Sequence, residues 1–211
     1  KALPAFLEAD KIKPDPYTQS RVGKLYAAGL GTDQDYEEAT RWLEKSANAG
    51  YKYAQYTLAG LYRVGYVFFL FYSAALEIYT RAYSFPYAAY ELGKLYRDGL
   101  GCAADADRAE WYFHQAFTGF QVMAQRAQDD KLQYRIGWML LHGVGTAPDE
   151  AAALPWLGKS ADRGNTFAKY ALGKLLLCGE TIPRNVDRAL ELLIECAEAG
   201  NQYAQYTLGK A

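Results

Sequence analysis

The side chains of this 211-residue chain that could do chemistry are few, and their spacing suits it poorly. Only two histidines occur, His114 and His142. His142 stands in "LLHGVG" at the end of a helical pattern, where a protonated ring suits the helix dipole, and His114 falls within a second helical pattern. Both read as structural or solvent-facing groups. Cys102, Cys178 and Cys196 have no CxxC or Cys/His spacing that would hold a metal. Carboxylates such as Glu37, Glu38, Asp129 and Asp130 sit where acidic residues open helices, and no pair is set apart as acid and base. "GLG" and "GVG" recur after helical patterns rather than strands, and "LGKL" and "LGKA" lack the P-loop spacing. The expected chemistry is therefore recognition. No enzyme, no cofactor and no metal are expected.

Charge and composition narrow the partners. With 23 basic and 24 acidic side chains there is no electrostatic case for nucleic acid or an anionic membrane surface. No run reaches the ~18–20 apolar residues of a membrane span, and no signal peptide opens the chain. Three sparse cysteines favour a reducing compartment, so a cytoplasmic protein with free thiols is expected. The chain starts at Lys1 and stops in "YTLGKA", inside a pattern met earlier, and reads as a fragment of something longer.

That pattern is a repeat. "YELGKLYRDGLG" (90–101), "YRIGWMLLHGVG" (134–145) and "YALGKLLLCGET" (170–181) are versions of one segment. Anchored on the Gly of "LG", the copies start at Gly23, Ala59, Gly93, Gly137, Gly173 and Gly209, spaced 36, 34, 44, 36 and 36 residues apart. Six residues after each of the first five anchors stands Gly, and sixteen after stands Ala. Nineteen after comes a large residue (Trp42, Ile78, Tyr112, Trp156, Leu192), and twenty-three after a small one (Ser46, Ala82, Ala116, Ser160, Cys196). Apolar residues three and four apart predict one helix, which the Gly would end in a left-handed conformation. Asp35, Asp105, Asp149 and Asn185, twelve after their anchors, are placed to cap a second helix. The small residues let the two helices approach, and each hairpin must stack on neighbours to bury its apolar faces.

"YELGKLYRDGLGCAADADRAEWYFHQA" and "YRIGWMLLHGVGTAPDEAAALPWLGKSADRGN" resemble Sel1-like repeats, relatives of tetratricopeptide repeats. The resemblance implies an all-α fold, a right-handed α-solenoid of stacked hairpins, whose members serve as adaptors and scaffolds for other proteins. Such arrays also occur fused to larger bacterial proteins. The resemblance covers residues 17–211, read as five hairpins and a C-terminal half-repeat, with 1–16 as a lead-in. Some secreted relatives pair a Cys at the position of Cys196 with one eight residues on, but here that place holds Ala204, so the disulfide-linked subclass is not expected.

The second hairpin departs from its siblings. Where a polar glycine turn is expected the chain reads Tyr66, Val67, Phe68, Phe69, Leu70, Phe71, Tyr72, with Val67 in place of a glycine and Phe71 in place of the capping Asp. Tyr83 replaces the small residue found at Ala47, Ala161 and Ala197. On the rim of a one-layer stack such a run has no second layer to cover it. It is therefore expected to bind another protein or a second copy of the chain, extended by Tyr83 and Phe85. If neighbouring helices of the same chain enclose it, the run is core instead. The eight extra residues near 117–131 predict a longer second helix in the third hairpin, and Phe117, equivalent to Tyr83, could join the same patch. A rewrite of this kind is also what interface engineering produces. The alternative is capture of a small molecule or peptide, in an aromatic pocket between the second and third hairpins or on the tyrosine-rich face of the first helices. That face includes Tyr53, Tyr56, Tyr87, Tyr90, Tyr134, Tyr170, Tyr203 and Tyr206.

Overall fold

Helices form where the repeat spacing places them. The structure is a computed structural model and describes residues 2–63 and 72–210. Among the described residues there are twelve helices and no strand. After α1 (Ala2–Ile12) come five hairpins. They are α2 (Pro16–Ala28) with α3 (Tyr36–Asn48), α4 (Lys52–Arg63) with α5 (Tyr72–Arg81), and α6 (Pro86–Asp98) with α7 (Ala106–Arg126), then α8 (Asp130–His142) with α9 (Glu150–Asp162) and α10 (Thr166–Cys178) with α11 (Val186–Glu198). α12 (Gln202–Leu208) is the closing half-hairpin. The all-α class of stacked hairpins is thus the observed one.

The chain divides into two compact units, Lys1–Ala116 and Phe117–Ala211. The boundary lies inside α7, which runs 21 residues as the long 44-residue spacing implied. In the first unit the lead-in is itself a helix. Leu3 of α1 is buried with Val22 and Leu25, and Phe6, Leu7 and Trp42 pack around them, so α1 covers the open side of the first hairpin. In the second unit Phe120, Leu132, Ile136, Met139, Leu157, Leu192 and Leu193 are fully buried.

The anchor glycine marks the closest approach within a hairpin. A Cβ on Gly23 would lie 2.7 Å from Leu43 Cγ, and one on Gly137 would lie 2.8 Å from Leu157 Cδ2. The partner residue stands twenty after the anchor, one beyond the large residue singled out in the sequence. Leu43, Tyr79, Phe113, Leu157 and Leu193 are buried there, whereas Trp42, Tyr112 and Trp156 are only half-covered. The alanines sixteen after the anchor are buried too. The small residues twenty-three after it do more than save space: Ser46 Oγ donates to Pro16 O (2.5 Å), Ser160 Oγ to Asp130 O (2.6 Å) and Cys196 Sγ to Thr166 O (3.4 Å). Each bond ties the second helix to the start of the first.

The caps form as expected. Asp35 accepts from Glu37 N and Glu38 N, Asp105 from Arg108 N, Asp149 from Ala152 N and Asn185 from Arg188 N, at 2.8–3.1 Å. Gly29, Gly99 and Gly143 take the left-handed conformation that ends a helix cheaply. Gly179 does not, with φ −56° and ψ 139°. The second glycine of that turn is replaced by Thr181, and a carboxylate holds the loop instead: Glu150 Oε2 accepts from Glu180 N (3.0 Å), Thr181 N (2.8 Å) and Thr181 Oγ1 (2.9 Å).

Candidate protein-binding surface

Of the residues expected to form the contact surface, Tyr66, Val67, Phe68, Phe69, Leu70 and Phe71 lie outside the described residues. Tyr72 opens α5 and is half-exposed. Its backbone lies over the turn after α6: a Cβ on Gly101 (φ +80°) would come 2.5 Å from the Tyr72 carbonyl carbon. Glycine is needed there twice over, for the left-handed backbone and for the close approach. The end of the apolar run is thereby fixed on the inter-helix turn of the next hairpin.

Tyr83 is 46% exposed and its ring lies 6.1 Å from that of Trp111, which is 50% exposed. Trp111 was missing from the sequence expectation, although it stands one before the large residue Tyr112 and so points off the core face. Tyr112 in turn stacks on Tyr96 at 5.4 Å with the planes 8° apart. The pair of exposed rings is thus Tyr83 with Trp111.

Two members of the expected patch are corrected. Phe85 and Phe117 are buried, each at 7% exposure. Phe85 occupies the N-cap place of α6, makes no side-chain cap bond, and fills a cluster with Tyr53 (4.7 Å), Tyr56 (5.7 Å) and Tyr87 (5.3 Å). A ring so enclosed has no surface to offer. Nor do Tyr72 and Tyr83 form one contiguous patch. Ten-residue α5 separates them, a rise of about 15 Å.

The first unit holds a buried charge cluster that sequence reading missed. Glu91 of α6 is buried, with Oε1 2.7 Å from Lys94 Nζ and Oε2 3.5 Å from Arg63 Nε. The second contact is ionic only, for neither Arg63 Nε nor Glu91 Oε2 makes a hydrogen bond. Tyr79, buried at the crossing position of α4 and α5, faces the same pair. Burial first, then the Glu91 charge, pushes its hydroxyl well above the ordinary tyrosine range. Arg63 is the last residue of α4. Removing one partner of such a pair would strand a buried charge.

The other candidate chemistry is accounted for. His142 Nδ1 donates to Trp138 O (2.8 Å) and the two rings stack at 4.4 Å, while His114 is exposed. Cys102, Cys178 and Cys196 carry free thiols. No metal-holding cluster and no helix long and apolar enough to cross a membrane occur among the described residues.

The tyrosine-rich face of the first helices is a ladder that steps from one hairpin to the next. Tyr56 meets Tyr87 at 5.9 Å in the first unit. In the second, Tyr134 meets Phe167 at 5.9 Å and Tyr170 meets Tyr203 at 6.2 Å. Four residues after each of three rings a lysine lies over it: Lys94 on Tyr90, Lys174 on Tyr170 and Lys210 on Tyr206, at 5.4, 5.9 and 4.5 Å.

The fold of stacked helical hairpins is found elsewhere. A Sel1 repeat protein from Oxalobacter formigenes superposes with a TM-score of 0.70 at 26% identity, over 93% of this chain and 78% of that one. A Sel1 repeat protein from Klebsiella pneumoniae gives 0.57 at 18% identity, over 98% and 97%. An immunity protein from Pseudomonas aeruginosa gives 0.52 at 16% identity, over 92% and 73%, and shares the fold. The Sel1 repeat profile matches residues 16–51, 86–118, 131–165 and 166–201, stepping over the hairpin that carries the apolar run. With matched repeats over more than half of its length, the chain belongs to the Sel1 repeat family.

Proposed function

We propose that the chain is a non-catalytic scaffold that binds another protein, or a second copy of itself, through the apolar run Tyr66–Tyr72. Sel1 repeats mediate protein–protein contacts, and that much comes with the family. The observation that carries the finer reading is the run itself, seven apolar side chains in the place of a polar turn. Full burial of each large one is worth about 1.5–3 kcal/mol, a gain that a partner surface would supply. Tyr72 held on the Gly101 turn, and the profile's silence over 52–85, support a hairpin rebuilt around an interface. The Tyr83–Trp111 pair belongs to this proposal as a second exposed aromatic contact at the other end of α5. Free thiols favour a reducing, cytoplasmic setting.

The test is the triple variant Phe68→Ser, Phe69→Ser, Phe71→Ser, followed by sedimentation velocity and thermal melting. Self-association or partner capture should be lost while the cooperative transition stays within a few degrees of the parent. Loss of the transition itself would make the run core and remove the proposal.

A further inference from the structure

The first and last described helices hold complementary halves of one repeat contact. α1 stands in the register of a second helix. Leu3, Val22 and Leu25 are buried together, with Leu7, Tyr26 and Trp42 packed around them. One 36-residue repeat on, the same positions are Ala39, Leu58 and Leu61, with Leu43, Tyr62 and Ile78, and they form the next core cluster. α1 thus packs on α2 as α3 packs on α4. Leu7 falls at the crossing position, where Leu43, Tyr79, Phe113, Leu157 and Leu193 are all buried, yet Leu7 itself is half-exposed.

α12 shows the converse. It has first-helix register, with Ala204 buried as Ala168 is buried in α10. A Cβ on the anchors Gly23, Gly93, Gly137 or Gly173 would lie 2.6–3.0 Å from the crossing side chain of the partner helix, and all four glycines are buried. Gly209, the anchor of α12, is exposed. A Cβ there would meet only carbonyl oxygens of its own segment, Gln205 O at 3.5 Å and Tyr206 O at 3.7 Å. Leu208, one before it, is half-exposed, whereas Val22, Leu92 and Ile136 in that place are fully buried. The ring ladder is open at the same two places. Tyr134 meets Phe167 and Tyr170 meets Tyr203 across successive hairpins. Tyr206, equivalent to Tyr170, is 63% exposed, and Tyr17, equivalent to Tyr203, is 53% exposed.

We propose that these halves meet between copies: α12 of one chain docks on α1 and α2 of a second copy, so that α12 and the second copy's α1 form one hairpin. Leu7 of the second copy enters the space at Gly209, and Tyr17 of the second copy meets Tyr206. The occupant is the chain itself, because the open anchor and the open crossing residue belong to one contact. The chain already makes that contact at Gly23, Gly93, Gly137 and Gly173. Burial of the half-covered leucines and tyrosines drives the docking, and the absent side chain of Gly209 permits the close approach. Two positions of α1 depart from the repeat: Leu3 stands where the siblings have Ala, and Asp10 where they have Ser, Ala or Cys. Their bulk makes this contact looser than an internal crossing, so the complex forms and dissociates with concentration. The contact is heterologous: a joined pair keeps one free α1 and one free α12, so growth past two copies is expected.

The test is sedimentation velocity of the whole chain over a concentration series. Weight-average mass should rise with concentration above the 23.6 kDa of one chain. Gly209→Leu fills the space on α12 and should weaken association about tenfold or more. Gly209 has φ −71° and ψ −9°, which any residue adopts, so this variant should keep the parent melting transition. Leu7→Asp spoils the other half and should weaken association likewise. An equimolar mixture of the two variants should restore a two-chain species, since each carries the half that the other lacks. A mixture no heavier than its components overturns the proposal. So does a parent of one-chain mass throughout, or a Gly209→Leu variant that associates as the parent does; the last decides alone if Leu7→Asp disturbs α1. Association that both end variants keep and the Phe68→Ser, Phe69→Ser, Phe71→Ser variant loses belongs to the apolar run, so failure there and failure here read out separately.

Discussion

The α8–α9 hairpin and the α4–α5 hairpin answer one packing problem in two ways. In the first, Gly137 admits Leu157, Asp149 caps α9, and Ser160 ties α9 to the start of α8. In the second, Ala59 fills the anchor, the larger Tyr79 takes the crossing position, and Ala82 offers no hydroxyl where Ser160 has one. Both crossing residues are nonetheless buried, Leu157 at 0% and Tyr79 at 1%. The lesson is that both hairpins bury a large side chain at the crossing, whether the anchor is Gly or Ala and whether or not a hydroxyl stands at the tie. The second hairpin pays in polarity, since Tyr79 brings its hydroxyl to the Arg63–Glu91 pair inside the stack.

The largest effect should come from breaking the crossing. Gly137→Ala forces a Cβ against Leu157 Cγ and Cδ2 at 2.8 Å, and thermal or urea unfolding should register a loss of about 1–3 kcal/mol. Ala59→Gly, which gives the rewritten hairpin its siblings' anchor, should cost about 1 kcal/mol of helix propensity because Tyr79 has no use for the space. If Ala59→Gly stabilises, the two hairpins are more alike than their side chains imply.

Next in size is the cap. Asp149→Ala removes the acceptor 2.8 Å from Ala152 N and should cost about 1 kcal/mol, with faster amide exchange confined to the first turn of α9. An unchanged exchange pattern would mean that the regular hairpins do not need their caps.

The smallest expected effect is a pH dependence belonging to α4. Tyr62 donates to Glu44 Oε1 at 3.0 Å, and burial, then this bond to the carboxylate, pushes its hydroxyl to about 12 from the ordinary 10.0. A pKa raised on folding means that the contribution is whole below pH 10 and fades as pH climbs to about 12. Tyr62→Phe should flatten that part of the alkaline unfolding profile and cost about 0.5 kcal/mol at neutral pH, where the bond to Glu44 is whole. An equally steep profile in the variant would assign the alkaline loss to Tyr79.

Much of the architecture was legible from the spacing of Gly, Ala and Asp. Steric demands at a helix crossing and a helix start are local and recur at every repeat, so each copy restates them. The length of α7 was legible for the same reason, as excess residues between two fixed anchors. Phe85 and Phe117 were misread as surface because burial of a ring depends on what stands beside it, and that neighbour comes from another element. Trp111 and the Glu91 cluster were missed because each becomes visible only when residues about thirty apart share a face.

By itself, then, the sequence determined the number of hairpins, the caps of their second helices and the small residues at their crossings, since those follow from backbone freedom, side-chain size and capping chemistry within one repeat. The tertiary structure alone decided which of the described tyrosines and phenylalanines are covered. It also decided that Glu150 would replace a turn glycine, and that lysine and aromatic side chains would gather on one face of the second unit. Stacking sets these outcomes, because it brings separate repeats to within contact distance and assigns each exposed side chain its neighbours.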